Sequence, residues 1–269
     1  MMRPDELVLG VLGNGQLGRM LAHAAQAMGV RVVSFGPGAG SPAGRAADVE
    51  VDAAYDDLDA VDAFARQVDV VTYEFENVPV ATAERCLAHA EVYPSPGVLE
   101  TAQDRLLEKG RLSAAGFPVT PFAEVDGPAS LSAARDELGG RVILKTTRAG
   151  YDGKGQQRLG PDDDAARAWA QHGADVGILE QVAEFELEIS VVAARGADGV
   201  AHACAVFENE HRNHILDVTI SPARIAPELA AEAERLAAGV MEALDVRGVL
   251  CVEMFVTSSG LLINELAPR

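Results

Sequence analysis

Residues 7–12, LVLGVL, form a short apolar run that ends in the glycine turn GNGQLG, and the residue pattern beyond that turn limits the fold of the whole first region. Leu17, Met20, Leu21, Ala24 and Met28 recur at helical spacing, and a second apolar run, residues 30–35, begins after Gly29. Strand, glycine turn, helix, strand is the order of a parallel βαβ unit. Further strands are predicted at residues 68–75 and 91–93. The double-proline segment YPSPG, residues 93–97, closes the region, so a first domain of residues 1–97 and a second of 98–269 are expected.

The second region opens with a predicted helix over residues 98–115. A strand at 142–146 runs into a glycine loop, and a helix is expected over 162–172 with an acidic first turn that suits the helix dipole. Strands are then predicted at 176–181, 187–193, 201–207, 249–256 and 261–265, interrupted by a long helix at 226–244. With 269 residues, 48% of them hydrophobic, the chain can bury a full core, and two domains are expected at this size.

Twenty-two basic residues against 41 acidic give a formal net charge of −19, which disfavours non-specific attraction to nucleic acid or to anionic lipid. Any phosphorylated ligand must be captured by local cations. Cys86, Cys204 and Cys251 lie far apart, with neither zinc spacing nor an even count, and read as reduced core thiols. The start MMRPDELVLG lacks the apolar run of a signal peptide, and no stretch reaches the ~20 apolar residues of a membrane span. A cytoplasmic protein is expected.

Gly13, Gly15 and Gly18 match GxGxxG after a strand and at a helix start, where backbone can approach a pyrophosphate. A dinucleotide site should also place an acid at the end of the second strand, but that strand ends SFGPG and the first Asp or Glu after it is Asp48. A tight turn lining some other ligand's pocket is the preferred reading. Glu74, Glu76 and Asn77 follow the apolar run VDVVTY at the carboxyl end of a parallel strand, a ligand-binding position in α/β sheets and equally the place of a solvated loop with a helix cap.

The segment KTTRAGYDGKGQ, residues 145–156, carries the most chemistry. Gly150, Gly153 and Gly155 permit close backbone approach, while Lys145 and Lys154 can neutralise phosphate; a plain hairpin would not need so dense a pattern. Glu253 interrupts the apolar run VLCVEMFV and Glu265 ends LLINE, so two carboxylates sit on adjacent predicted strands. Burying such groups without a cation is costly, which favours magnesium, with arginine or lysine as the alternative partner. Glu180, Gln181 and Glu188 would suit an adenosine, but by spacing alone ordinary polar surface residues are the favoured reading. His211 and His214 could ligate a metal together only on a helix.

GNGQLGRM at 13–20, QDR at 103–105, GYDGKGQ at 150–156 and FVTSSGLLINELAPR at 255–269 stand in the order of a known set of signatures. Through them the chain resembles the ATP-grasp superfamily and, within it, the N5-carboxyaminoimidazole ribonucleotide synthetases. The resemblance spans essentially the whole chain. It implies an α/β, Rossmann-like N-terminal domain followed by an α+β ATP-grasp domain that clamps ATP and magnesium. It implies that Arg105, Lys145, the loop Gly150, Tyr151, Asp152, Gly153, Lys154, Gly155 and Gln156, then Glu180, Gln181, Val182, Ala183, Glu188 and His211, hold ATP. Asn264 and Glu265, with Glu253, would handle magnesium and the phosphates. Tyr151 and Asp152, with Gln16 and Glu76, would meet aminoimidazole ribonucleotide, while Lys154 and Arg269 would face the transferring phosphoryl and the bicarbonate-derived anion. The family is generally homodimeric.

Two departures from the family pattern bear on function. Ala149 stands where the family commonly has glycine, a change expected to stiffen the base of the loop. Family members also continue beyond the APR motif, so the substrate site of this chain is expected to be incomplete. Competing readings are a sister ATP-grasp ligase such as formate-dependent glycinamide ribonucleotide transformylase, and a nucleotide-binding module without turnover.

Overall fold

A computed structural model describes residues 6–150, 155–213 and 215–269. The first region runs β1 (Val8–Leu12), α1 (Gln16–Ala27), β2 (Arg31–Gly36), β3 (Val49–Asp52), α2 (Leu58–Ala65), β4 (Val70–Tyr73), α3 (Val80–Cys86) and β5 (Glu91–Val92). Its five strands form one parallel sheet in the order β3-β2-β1-β4-β5. Neighbouring residues on a strand point to opposite faces, so Val11 and Val32 pack with Ala22 and Ala25 of α1, while Leu12, Phe35 and Tyr73 pack with Phe64 of α2 on the other side. Both faces are covered, which is why these strands read as continuous apolar runs.

The glycine turn is closed by a side chain. Glu74, just after β4, accepts hydrogen bonds from the backbone N–H groups of Gly15 at 2.7 Å and Gly18 at 2.5 Å. Gly15 caps α1 without a side chain of its own, so this carboxylate, 59 residues away, supplies the acceptor at the positive end of the helix. A Cβ on Gly13, Gly15 or Gly18 would collide with the Glu74 side chain. The three glycines therefore make room for Glu74, in the position a pyrophosphate would take. This accounts for the glycine fingerprint without a dinucleotide and resolves Glu74 as a helix cap.

The second region continues with α4 (Pro96–Gln103), α5 (Arg105–Ala114), β6 (Phe122–Val125), α6 (Pro128–Glu137), β7 (Val142–Thr146), β8 (Gln156–Leu159), α7 (Ala165–His172) and β9 (Gly177–Gln181). It ends with β10 (Leu187–Arg195), β11 (Ala201–Ala203), β12 (Phe207–Arg212), β13 (Ile215–Ile220), α8 (Pro227–Ala243), β14 (Gly248–Thr257) and β15 (Gly260–Pro268). The helix expected over 98–115 is two helices. Asp104 takes an extended conformation and its carboxylate accepts from the N–H groups of Leu106 and Leu107, so a local cap ends one helix and starts the next. The strand expected at 201–207 is likewise divided: β11 and β12 both pair with β10, but Val191 and Val192 face Cys204, Ala205 and Val206, one residue too many for an unbroken ladder. The helix expected at 162–172 begins only at Ala165, capped by Asp164.

Two antiparallel sheets result. The smaller, β6-β9-β7-β8, packs Val142, Leu144 and Leu179 against Leu131 of α6 and Ala168 of α7. In the larger, β13-β12-β10-β14-β15 with β11 on β10, Ile189, Val191, Val252 and Met254 pack against Val240 and Met241 of α8. Among the described residues no helix is long and apolar enough to cross a membrane.

Candidate nucleotide site

Strand alternation decides what faces the space between these sheets. Leu144 and Leu179 turn to the helices, so Ile143, Lys145 and Glu180 turn the other way; Ile189 and Val252 turn to α8, so Glu188 and Glu253 turn outward. The two outward faces border a cleft of about 870 Å³. Its lining brings together Glu76, Arg105, Lys145, Gly150, Gln156, Glu180, Gln181, Val182, Ala183, Glu188, His211, Glu253, Asn264 and Glu265. Residues more than 150 positions apart in sequence thus converge on a space in the size range of ligand pockets.

At one end, Lys145 Nζ donates to Glu180 Oε2 at 2.9 Å, and Lys109 Nζ lies 3.6 Å from the same oxygen. Burial alone would raise the Glu180 carboxyl, but the two ammonium groups outweigh it and hold it below its ordinary value. The second oxygen, Glu180 Oε1, and Thr120 Oγ1 are buried without a hydrogen-bond partner, and both residues line the cleft. Buried polar atoms are seldom left without a partner. Phe185 and Phe255, also in the lining, stack at 4.5 Å with an interplanar angle of 11°, giving an apolar wall suited to a flat base.

At the other end, Glu253 and Glu265 stand opposite each other on β14 and β15. No salt bridge to a basic side chain holds either one among the described residues. Burial, followed by the nearby charges of Glu265 and Glu188, pushes the Glu253 carboxyl up to about 7. Uncompensated hard oxygen donors of this kind fit magnesium, which binds through one or two carboxylates and completes its shell with phosphate and water. No cluster of three or more His, Cys, Asp or Glu side chains surrounds a metal position among the described residues.

The base of the glycine loop is anchored by α5. Arg105 donates to the carbonyls of Thr146 at 3.1 Å and Gly150 at 2.6 Å, and its backbone N–H to Thr147. Gly155 closes the same base with φ +71°, its carbonyl accepting from Thr146 N–H. Tyr151, Asp152, Gly153 and Lys154 lie outside the described residues, as does His214. His211 sits on strand β12 and pairs with Glu188, Nδ1 to Oε2 at 2.8 Å, so it belongs to no helical histidine pair. Gln16, exposed at the start of α1, is not in the cleft lining, and Arg269 borders a separate pocket of about 290 Å³ while pairing with Glu76. Sequence patterns missed Lys109 and Thr120. Lys109 falls four residues after Arg105 and three before the buried Leu112, on the stripe that faces the core, a position that could have marked it.

A layer of parallel sheet followed by two antiparallel lobes that close on a nucleotide-sized cleft defines the ATP-grasp class of enzymes. Residues 110–269 match the ATP-grasp domain family, and residues 7–103 match the ribonucleotide synthetase preATP-grasp domain family. The chain belongs to the N5-carboxyaminoimidazole ribonucleotide synthase family: it is 45% identical over 264 residues to the synthase of Brucella melitensis, an alignment covering 97% of this chain and 73% of that one. The Staphylococcus aureus synthetase solved with ADP superposes with a TM-score of 0.91 at 34% identity, covering 98% of this chain and 70% of that one. The Aspergillus clavatus synthase, solved with ADP and 5-aminoimidazole ribonucleotide, gives 0.88 at 28% identity over 98% and 70%.

Proposed function

We propose that this chain uses ATP to carboxylate 5-aminoimidazole ribonucleotide with bicarbonate, forming N5-carboxyaminoimidazole ribonucleotide for purine biosynthesis. The observation that carries the reading is the convergence of Lys145 and Glu180 from the smaller sheet with Glu253, Asn264 and Glu265 from the larger one on a single cleft. Adenine would lie along residues 180–183 with Phe255 beside it, and Glu188 and His211 would reach the ribose. Lys145, with Lys154 from the loop, would draw negative charge from the phosphates as it shifts in the transition state. Magnesium held by Glu253, Asn264 and Glu265 would supply further neutralisation of that charge.

In the reaction a bicarbonate oxygen attacks the γ-phosphorus, the bond to the bridging oxygen breaks, and ADP leaves. The resulting carboxyphosphate yields CO2 and phosphate. The exocyclic amine of the ribonucleotide donates its lone pair to CO2, and its proton passes to the phosphate just released. Gln16, Glu76, Tyr151 and Asp152 would orient the amine, and Arg269 would hold the anion. A site closed to solvent would keep water from carboxyphosphate. A cytoplasmic homodimer completes the proposal.

The test is ATP hydrolysis measured with each substrate omitted in turn. Turnover is expected to require both bicarbonate and the ribonucleotide. Hydrolysis indifferent to bicarbonate would overturn the reading, and formate acting in its place would assign the chain to the sister ligase.

A further inference from the structure

Consecutive residues of α5 reach the same short piece of β15. Glu108 and Lys109 are 2% and 1% exposed, unusual for adjacent charged residues on a helix. Glu108 Oε2 accepts from the backbone N–H of Leu266 at 3.0 Å, and Lys109 Nζ donates to the backbone carbonyl of Asn264 at 3.2 Å. These two main-chain groups flank Glu265. The strand is irregular at this point: Glu253 faces Glu265 but Met254 faces Ile263, so Asn264 is an extra residue, a bulge at the edge of the sheet. Bulges re-aim side chains, and on the outer side of this one a single bridge, Ile263 N–H to the Pro118 carbonyl at 2.7 Å, holds the neighbouring residue while Asn264 and Glu265 lie beyond it. For those two residues the helix supplies the constraint. Lys109 also lies 3.6 Å from Glu180, so one ammonium joins the strand bearing Glu265 to the floor of the cleft in the other sheet.

We propose that Glu108 and Lys109 are positioning residues, a two-pronged clamp that holds the Asn264–Glu265 bulge so that Glu265 meets the nucleotide-borne magnesium at a fixed separation from Lys145 and Glu180. The inference rests on the reading of the cleft as a nucleotide site. Neither residue touches the reacting atoms; both act through the main chain on either side of Glu265. Outer partners of this kind commonly account for roughly 10- to 100-fold in metal affinity.

The experiment is calorimetric titration of the whole chain with ADP, with and without magnesium, the ratio of the two affinities being the readout. In Glu108→Ala the gain on adding magnesium is expected to fall by roughly tenfold or more, while metal-free ADP binds within about threefold of the parent. Glu108→Gln, which keeps an acceptor for Leu266 N–H, should retain the gain. Lys109→Met, which removes both contacts of the ammonium, should weaken binding with and without the metal. If Glu108→Ala does not fold, Glu108→Asp takes its place with the same expectation, since its shorter side chain withdraws the carboxyl from Leu266. A folded Glu108→Ala or Glu108→Asp with the parent's magnesium gain would overturn the clamp. Absence of ADP binding by the parent would instead overturn the nucleotide reading, so the two failures are distinct.

Discussion

Arg269 donates through Nη1 to Glu76 Oε2 at 2.9 Å, joining the residue after β15 to the loop after β4 across 193 positions of sequence. Both side chains are about one-third exposed, so the pair itself should contribute no more than about 1 kcal/mol to stability. Its importance lies in placement, because it fixes an arginine at the junction of the two regions. Glu76→Ala is therefore expected to leave the denaturation midpoint nearly unchanged while ribonucleotide-dependent ATP hydrolysis drops by up to roughly 100-fold, the scale of a misplaced reacting group.

Lys145→Met tests the other end of the cleft. Glu180 would keep Lys109 at 3.6 Å but lose its 2.9 Å partner. The stability loss should stay below the roughly 3–5 kcal/mol of a buried charge left wholly unpaired. ADP affinity, read by titration, should fall at least about tenfold, as expected when a charge-assisted contact to phosphate is removed.

Acid sensitivity should centre on Glu208. Its carboxylate accepts from the backbone N–H and the guanidinium of Arg224, and those bonds hold its carboxyl down to about 2. A depressed carboxyl contributes stability that is complete above the unfolded value near 4.5 and is lost as pH falls toward 2. Melting temperature measured against pH should thus decline through that window in the parent. Glu208→Gln should start lower at neutral pH and decline less steeply.

The cysteines give a simple chemical count. Burial pushes the Cys86 thiol up to about 12 and Cys251 up to about 11, whereas Cys204 is exposed. A disulfide reagent at pH 8 should label the exposed Cys204 quickly, the partly buried Cys251 slowly and the buried Cys86 only on unfolding. Fast reaction of Cys86 in the native protein would contradict the packing of α3 against the parallel sheet.

Ala149 adopts φ +58° at the base of the glycine loop. A left-handed conformation costs a residue with a Cβ about 1–2 kcal/mol. Glycine removes that strain while adding about 0.4–1 kcal/mol of unfolded-state entropy. Ala149→Gly is expected to stabilise the protein slightly, with a small upward shift of the urea midpoint.

The sequence was most legible where a single rule governs. The run LVLGVL, the glycine turn and the helical spacing after Gln16 yield the parallel sheet directly. Glu253 and Glu265, acids in otherwise apolar strands, stood out as a pair, and they stand opposite each other on β14 and β15, although Glu265 is exposed rather than buried. What stayed hidden depended on distant partners. Nothing near Gly13 announces that Glu74 will fill its turn, and a lysine on a helix ordinarily reads as solvated until Glu180 and Asn264 are seen around it. The edge strand β13 was also missed, because Ile215, Leu216 and Val218 remain exposed and its sequence carries no clean alternation.

Glu74 has a last implication for how such chains are read. By seating its own carboxylate where a coenzyme's diphosphate would rest, the N-terminal layer satisfies the backbone donors at that spot from within and leaves no room there for a diphosphate. A fingerprint that elsewhere advertises a redox coenzyme has here become an internal joint, fastening one strand end to the neighbouring helix.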